Sequence, residues 1–230
     1  MQMLRTIGFD ADDTLWHNER LFKLTQARFA ELLADHADED HLHMRLLEAE
    51  RRNIGRYGFG VKGFVLSMIE TAIEVTEQRV PASAIAELIA AGQDMLEHPI
   101  ELLPHAEETV RALADSHSLV LITKGDLIDQ ERKLAQSGLG DLFDAVEIVS
   151  DKRPETYSRI FATEGPERAM MVGNSMKSDV RPALEAGAWG VWVPQPLAWD
   201  LEHEDPPESP ERYRELADLS ALPDLVAQIG

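Results

Sequence analysis

Residues 4–15 read Leu4-Arg5-Thr6-Ile7-Gly8-Phe9-Asp10-Ala11-Asp12-Asp13-Thr14-Leu15. Leu4 to Phe9 is a short, largely apolar run that stops at an acid, the pattern of a buried strand ending at Asp10. Asp10 and Asp12 are two positions apart, so in extended backbone their side chains lie on the same side. Asp13 alternates to the other side and is the poorer partner for shared chemistry; it is expected to cap the following turn. A buried strand needs neighbours, and the rest of the chain supplies them.

From Pro104 onward, helix and strand patterns alternate. Helical spacing at 106–116, 126–137, 157–162 and 180–186 separates apolar runs at 119–122, 145–149, 169–172 and 191–193, the last read as the final core strand. Alternating βα units imply a parallel sheet with helices on both faces. Residues 17–103 instead show four amphipathic helical stretches and very little strand character, with Pro81 at the first turn of the fourth. The expected fold is therefore α/β: a doubly wound, Rossmann-like core of residues 1–16 and 104–230, with a helical cap of residues 17–103 inserted after the first strand. Residues 194–210, rich in Pro and Glu, are expected as a surface loop, and 221–229 as a closing helix.

Composition narrows the function. The chain has 230 residues and a formal charge of −20, which repels phosphate backbones and anionic lipid, so nucleic-acid and membrane-surface partners are disfavoured. A small phosphorylated substrate stays open, because a metal ion and a few cations can reverse the field inside one cleft. With no cysteine, disulfides and thiolate metal sites are out. The start of the chain lacks the pattern of a secretory leader, and no stretch approaches the length of a membrane span, so a cytoplasmic protein is expected. Oligomeric state is left open.

In doubly wound sheets, ligands bind at the carboxyl ends of the strands. Here those ends carry Asp10 to Thr14, then Thr123-Lys124-Gly125, then Ser150-Asp151-Lys152, then Gly173-Asn174-Ser175 with Asp179 a turn further on. Phosphoryl transfer wants such an inventory. One carboxylate can attack phosphorus and another can move the proton of the leaving oxygen. Oxygen ligands suit Mg²⁺, while a hydroxyl and an ammonium steady the charge on the transferring group.

The first run together with Thr123, Lys152 and Gly173-Asn174-Ser175-Met176-Lys177-Ser178-Asp179 resembles the four ordered motifs of the haloacid dehalogenase superfamily. The likeness spans roughly residues 4–193. It implies Asp10 as nucleophile and Asp12 as general acid/base, with Thr123 and Lys152 stabilising phosphate and nucleophile. It implies Mg²⁺ as cofactor, held by Asp10, the Asp12 backbone carbonyl and the fourth motif through Asn174 or Asp179. Thr123, Lys124 and Gly125 are then the phosphate-binding candidates. Two departures stand out: Asn174 occupies a place where relatives often carry an acid, and His105 follows Pro104 where Gly is common.

Arg51 to Lys62 is the most basic stretch of an acidic chain, with glycines beside aromatics. Read as a loop, it offers Arg56 and Lys62 as contacts to an anionic substrate. The expected activity is Mg²⁺-dependent hydrolysis of a small phosphorylated metabolite through an aspartyl-phosphate. Haloacid dehalogenation is the rival that needs no second aspartate, so Asp12 weighs against it. A phosphomutase, or a non-catalytic domain that binds a partner through the cap, are the further alternatives.

Overall fold

The computed structural model describes residues 3–207 and 211–230. The chain divides into two compact units: Met1–Glu19 with Ile100–Lys124 and Gln130–Gly230, and Arg20–Pro99 with Gly125–Asp129.

The first unit is built on a six-stranded parallel sheet: β1 (Thr6–Phe9), β2 (Ser118–Lys124), β3 (Ala145–Val149), β4 (Ala169–Gly173), β5 (Trp189–Trp192) and β6 (Tyr213–Glu215), in the order β3-β2-β1-β4-β5-β6. Every residue of β1 is buried, as its apolar run requires of a strand covered on both faces. Alternation in β2 feeds two cores. Leu119 and Leu121 join Ile7, Phe9, Met170 and Val172 against α5 (Ala106–Ala114) and α9 (Leu222–Ile229). Val120 and Ile122 join Met171 with Tyr157 of α7 (Pro154–Ile160), Phe161 and Ala183 of α8 (Arg181–Glu185). The sixth strand, three residues long and polar at the sheet edge, carries no apolar run; 191–193 is therefore not the last strand.

The chain reverses direction across the sheet between β1 and β4, whose partners Phe9 and Val172 are level. Such a switch point opens a crevice at the carboxyl ends. Asp10 leaves β1 there, its amide donating to the Val172 carbonyl at 2.9 Å.

The second unit packs α1 (Glu19–Leu32, whose first residue belongs to the sheet unit), α2 (Glu39–Tyr57), α3 (Val61–Val75) and α4 (Ala82–Glu97) around Phe29, Leu33, Leu42, Leu46, Phe64, Met68 and Leu88. Asp38 caps α2 by accepting from the His41 amide at 2.9 Å. The basic stretch at 51–62 is not a loop. Arg51 to Tyr57 are the last turns of α2, and only Gly58 to Gly60 form the connection, two of them with positive φ of 75° and 110°. Tertiary bonds override the helix-weakening Gly55: Asn53 Nδ2 donates to Ser67 Oγ at 3.2 Å and Glu70 Oε2 at 2.8 Å, and Arg52 pairs with Glu74 at 2.9 Å.

Among the described residues no helix is long and apolar enough to cross a membrane. Residues 194–207 are not a plain surface loop either. They contain a 3₁₀ turn at Asp200–Glu202 whose last side chain reaches the sheet edge. The remaining three positions of that expected loop, 208–210, lie outside the described residues.

Candidate active site

At the end of β1 the Asp10 carboxylate is buried and takes two donors: Lys152 Nζ at 2.5 Å on Oδ1 and Thr14 Oγ1 at 3.0 Å on Oδ2. Lys152, in a stretch that reads as exposed, is 4% accessible, while its neighbour Arg153 is open to solvent. Its ammonium also donates to Asp179 Oδ1 at 2.7 Å, and Asp179 Oδ2 accepts from the Ser175 amide at 2.9 Å. Asp179 lies over Gly173, where an added Cβ would come within 2.2 Å of Oδ2, so only glycine fits there. A π-helical turn, Met176–Val180, sets this geometry by swinging Asp179 back across the end of β4. Such turns are frequent at functional sites.

Charge in the pocket is unbalanced. Burial first, then the neighbouring Asp179 charge, push the Asp10 carboxyl up to about 7 despite Lys152. Burial works against the Lys152 ammonium, yet Asp10 and Asp179 more than offset it and keep it firmly protonated. Burial also carries the Tyr157 phenol well above its usual value, so it stays a neutral donor, bonding the Ser178 carbonyl at 2.8 Å.

Asn174 approaches Asp10 through Thr14. Its amide donates to Thr14 Oγ1 at 3.1 Å, and its Oδ1 lies 3.4 Å from the same hydroxyl, which itself bonds Asp10. Two oxygens, one of the Asp10 carboxylate and one of the Asn174 carboxamide, thus meet at the Thr14 hydroxyl. Among the described residues no three His, Cys, Asp or Glu side chains form a metal cage. Mg²⁺ does not require one, since it keeps several waters and binds through one or two carboxylates. A pocket short of positive charge with neutral and anionic oxygens at one point fits such an ion. Both Asp179 oxygens are already engaged by Lys152 and Ser175, which makes Asn174 the better placed of the two fourth-motif candidates.

Asp12 is not bonded to this group. Its carboxylate accepts from Trp16 Nε1 at 2.7 Å, from Gln130 Nε2 at 2.8 Å and from Lys133 Nζ at 2.9 Å, the last also bonded to Asn18 Oδ1 at 2.8 Å. Gln130 and Lys133 sit on α6 (Leu127–Ser137), where nothing but a helical pattern marks them in the sequence. Asp13, at φ 57°, turns the other way and caps α1 by accepting from the amides of Asn18 at 2.9 Å and Glu19 at 2.8 Å. Burial, its largest influence, raises the Asp13 carboxyl to about 6.

Thr123 is buried at the end of β2, its hydroxyl donating to the Lys124 carbonyl at 3.3 Å. Lys124 Nζ is bonded to Ser178 Oγ and Glu202 Oε1, both at 2.7 Å. Glu202 has no signal in the sequence beyond being one acid among many. Gly125 takes φ 132° and belongs with the helical unit, as do Arg56 and Lys62. Arg56 is exposed near the end of α2, and Lys62 Nζ is 3.2 Å from Asp126 Oδ1.

A doubly wound sheet whose switch point carries a buried carboxylate, an ammonium and hydroxyls has the arrangement of a Rossmann-like ligand site. The chain belongs to the haloacid dehalogenase-like hydrolases, the family model matching residues 4–187. A haloacid dehalogenase-like family hydrolase from Xanthomonas campestris is 42% identical over 99% of this chain and 92% of its own, with a TM-score of 0.87. A glyceraldehyde 3-phosphate phosphatase from Pyrococcus furiosus is 26% identical over 98% of this chain and 93% of its own length. A phosphoserine phosphatase from Thermus thermophilus is 35% identical over 46% of this chain and 42% of its own.

Proposed function

We propose that the protein is a Mg²⁺-dependent phosphatase that hydrolyses a small phosphorylated metabolite through an aspartyl-phosphate on Asp10. One observation carries the reading: the strand-end carboxylate of Asp10 lies 2.5 Å from a buried ammonium and 3.0 Å from a buried hydroxyl, with Asp12 two residues on. Relatives that share nearly the full length or a large part of the chain include phosphatases of small phosphate esters, which agrees with it.

In this mechanism an Asp10 oxygen attacks phosphorus. The bond from phosphorus to the ester oxygen breaks, and that oxygen takes a proton from Asp12. Water then attacks the aspartyl-phosphate and gives its proton to Asp12, releasing inorganic phosphate and regenerating the Asp10 carboxylate and the protonated Asp12 acid. Lys152 and Thr123 oppose the charge on the phosphoryl oxygens, with the Lys124 and Gly125 backbone continuing that binding loop. Asp10, the Asp12 carbonyl and Asn174 would hold Mg²⁺, which supplies positive charge to the phosphoryl oxygens. Asp179 serves instead to aim Lys152. Arg56 and Lys62 of the helical unit, the cap in this reading, are assigned to the substrate beyond its phosphate. The work is placed in the cytoplasm, where small phosphate esters are made and consumed.

The test is a panel of phosphate esters with Mg²⁺, including triose phosphates and phosphoserine. Phosphate release from at least one, lost on chelation and restored by Mg²⁺, is expected. Asp10→Asn should fold and release none, and beryllium fluoride should inhibit the wild type while no longer binding the variant. Undiminished turnover by Asp10→Asn ends the covalent mechanism.

A further inference from the structure

Glu202 stands outside every motif that marks the site. It lies on the connection between β5 and β6, yet its side chain is only 18% exposed. Oε1 accepts from Lys124 Nζ at 2.7 Å, and Oε2 accepts from Ser175 Oγ at 2.7 Å and from Ser178 Oγ. One carboxylate thus joins the end of β2 to the turn after β4, the two strands that flank β1. The segment around it is fastened twice more: Lys177 Nζ donates to the Leu201 carbonyl at 2.6 Å, and Arg181 Nη2 to the Asp205 carbonyl at 2.7 Å.

The turn it grips is organised through the same serine. Ser175 Oγ accepts from the Ser178 amide at 3.0 Å, and the Ser175 carbonyl accepts from the Asp179 amide at 2.9 Å. The residue before Ser175 is Asn174, whose carbonyl is held by Trp192 Nε1 at 2.8 Å. Although burial works the other way, Lys124 and the two serine hydroxyls hold the Glu202 carboxyl below its usual range, so it is a standing anion in this lattice.

We propose that Glu202 is a positioning residue that fixes the Asn174–Asp179 turn in the arrangement that binds a divalent cation at Asp10 and Asn174. The proposal rests on the metal reading given above. Without the carboxylate, the Ser175 and Ser178 hydroxyls lose their common acceptor, and Lys124 keeps a neutral partner in place of an anion. The turn carrying Asn174 is then free to rearrange. Groups that orient metal ligands from behind are typically worth about 10–100-fold in metal affinity.

Mg²⁺ binding to the substrate-free protein, measured by calorimetry and by tryptophan fluorescence, tests this directly. Glu202→Ala should weaken Mg²⁺ binding by roughly 10–100-fold. Glu202→Gln should fall between, because it keeps an acceptor but not the charge that pairs with Lys124. If Glu202→Ala does not fold, a Ser175→Ala, Ser178→Ala double variant removes the hydroxyls instead and should weaken binding likewise. An unchanged Mg²⁺ affinity in folded Glu202 variants overturns the inference and leaves the metal reading standing. If the wild type and Asp10→Asn bind Mg²⁺ equally poorly, the metal reading itself fails and the inference falls with it.

Discussion

Lys152 Nζ lies 2.5 Å from Asp10 Oδ1 and 2.7 Å from Asp179 Oδ1, so one ammonium serves two carboxylates in a place closed to solvent. Burial, and after it the Asp179 charge, raise the Asp10 carboxyl more than this shared cation lowers it. That imbalance leaves room for a further positive charge, and it ties the stability of the pocket to its chemistry.

Lys152→Met should therefore cost stability as well as activity. Removing one partner of a buried pair strands the other charge, at about 3–5 kcal/mol. Urea unfolding at neutral pH should show a loss of that order, and Asp179→Asn added to it should return much of the difference, because the second anion no longer needs a partner. Purely additive losses in the double variant would mean that the two carboxylates do not share Lys152 energetically.

Asp12→Asn should slow phosphorylation of the protein most for alkyl phosphates, whose leaving oxygen must be protonated. General acid catalysis is worth roughly 10²–10⁴-fold. An aryl phosphate leaves without a proton and should suffer far less in the first step. Single-turnover measurements separate that step from the later attack by water. Equal losses for both ester classes would remove Asp12 from the acid's role.

The strand ends were legible because they join two signals, an apolar run and an abrupt polar stop. β1, β3 and β4 follow such runs closely, and Asp10, Lys152, Asn174 and Asp179 stand where those runs end. What escaped has no such signature. Gln130 and Lys133 are polar positions on an amphipathic helix, alike in sequence to solvated ones, and only the packing of α6 turns them to Asp12. Glu202 sits in a segment whose Pro and Glu content argues for solvent, and its burial depends on three donors from distant parts of the chain. The opposite error occurred at Arg51 to Tyr57, where two glycines close to cations suggest a loop while bonds from Asn53 and Arg52 to α3 hold a helix.

His105 makes a testable case of a local departure. It takes φ 66°, a left-handed conformation that glycine enters without strain, and its imidazole bonds Glu108. The Glu108 bond, the largest influence, raises the imidazole pKa above 6.5. A raised folded-state value means that this pair contributes below pH 6.5 and its contribution is lost as pH rises through the folded value. The site is solvent-exposed, so the contribution is screened and small. NMR titration should give His105 a pKa above the usual value that returns toward it in Glu108→Gln. Well above the folded pKa that this titration returns, where the pair is spent, His105→Gly should raise Tm by about 2 °C. A fall in Tm at that pH would show that the backbone there is not strained.

The helical unit supplies the last expectation. Arg56 is exposed near the end of α2, whereas Lys62 already faces Asp126 at 3.2 Å. Of the two basic residues assigned to the substrate beyond its phosphate, Arg56 therefore has the charge to spare. Arg56→Ala should raise KM for the natural substrate more than for a small generic ester that lacks the distal group. A charge-assisted contact is worth about 1.5–3 kcal/mol, or roughly one to two decades in binding. Lys62→Ala should have a smaller effect on KM and a larger one on the thermal stability of the turn around Gly60, whose open backbone lies against Asp126. If Arg56→Ala leaves the ratio of the two KM values unchanged, this end of α2 does not select the substrate. The selecting group must then be sought elsewhere among residues 20–99.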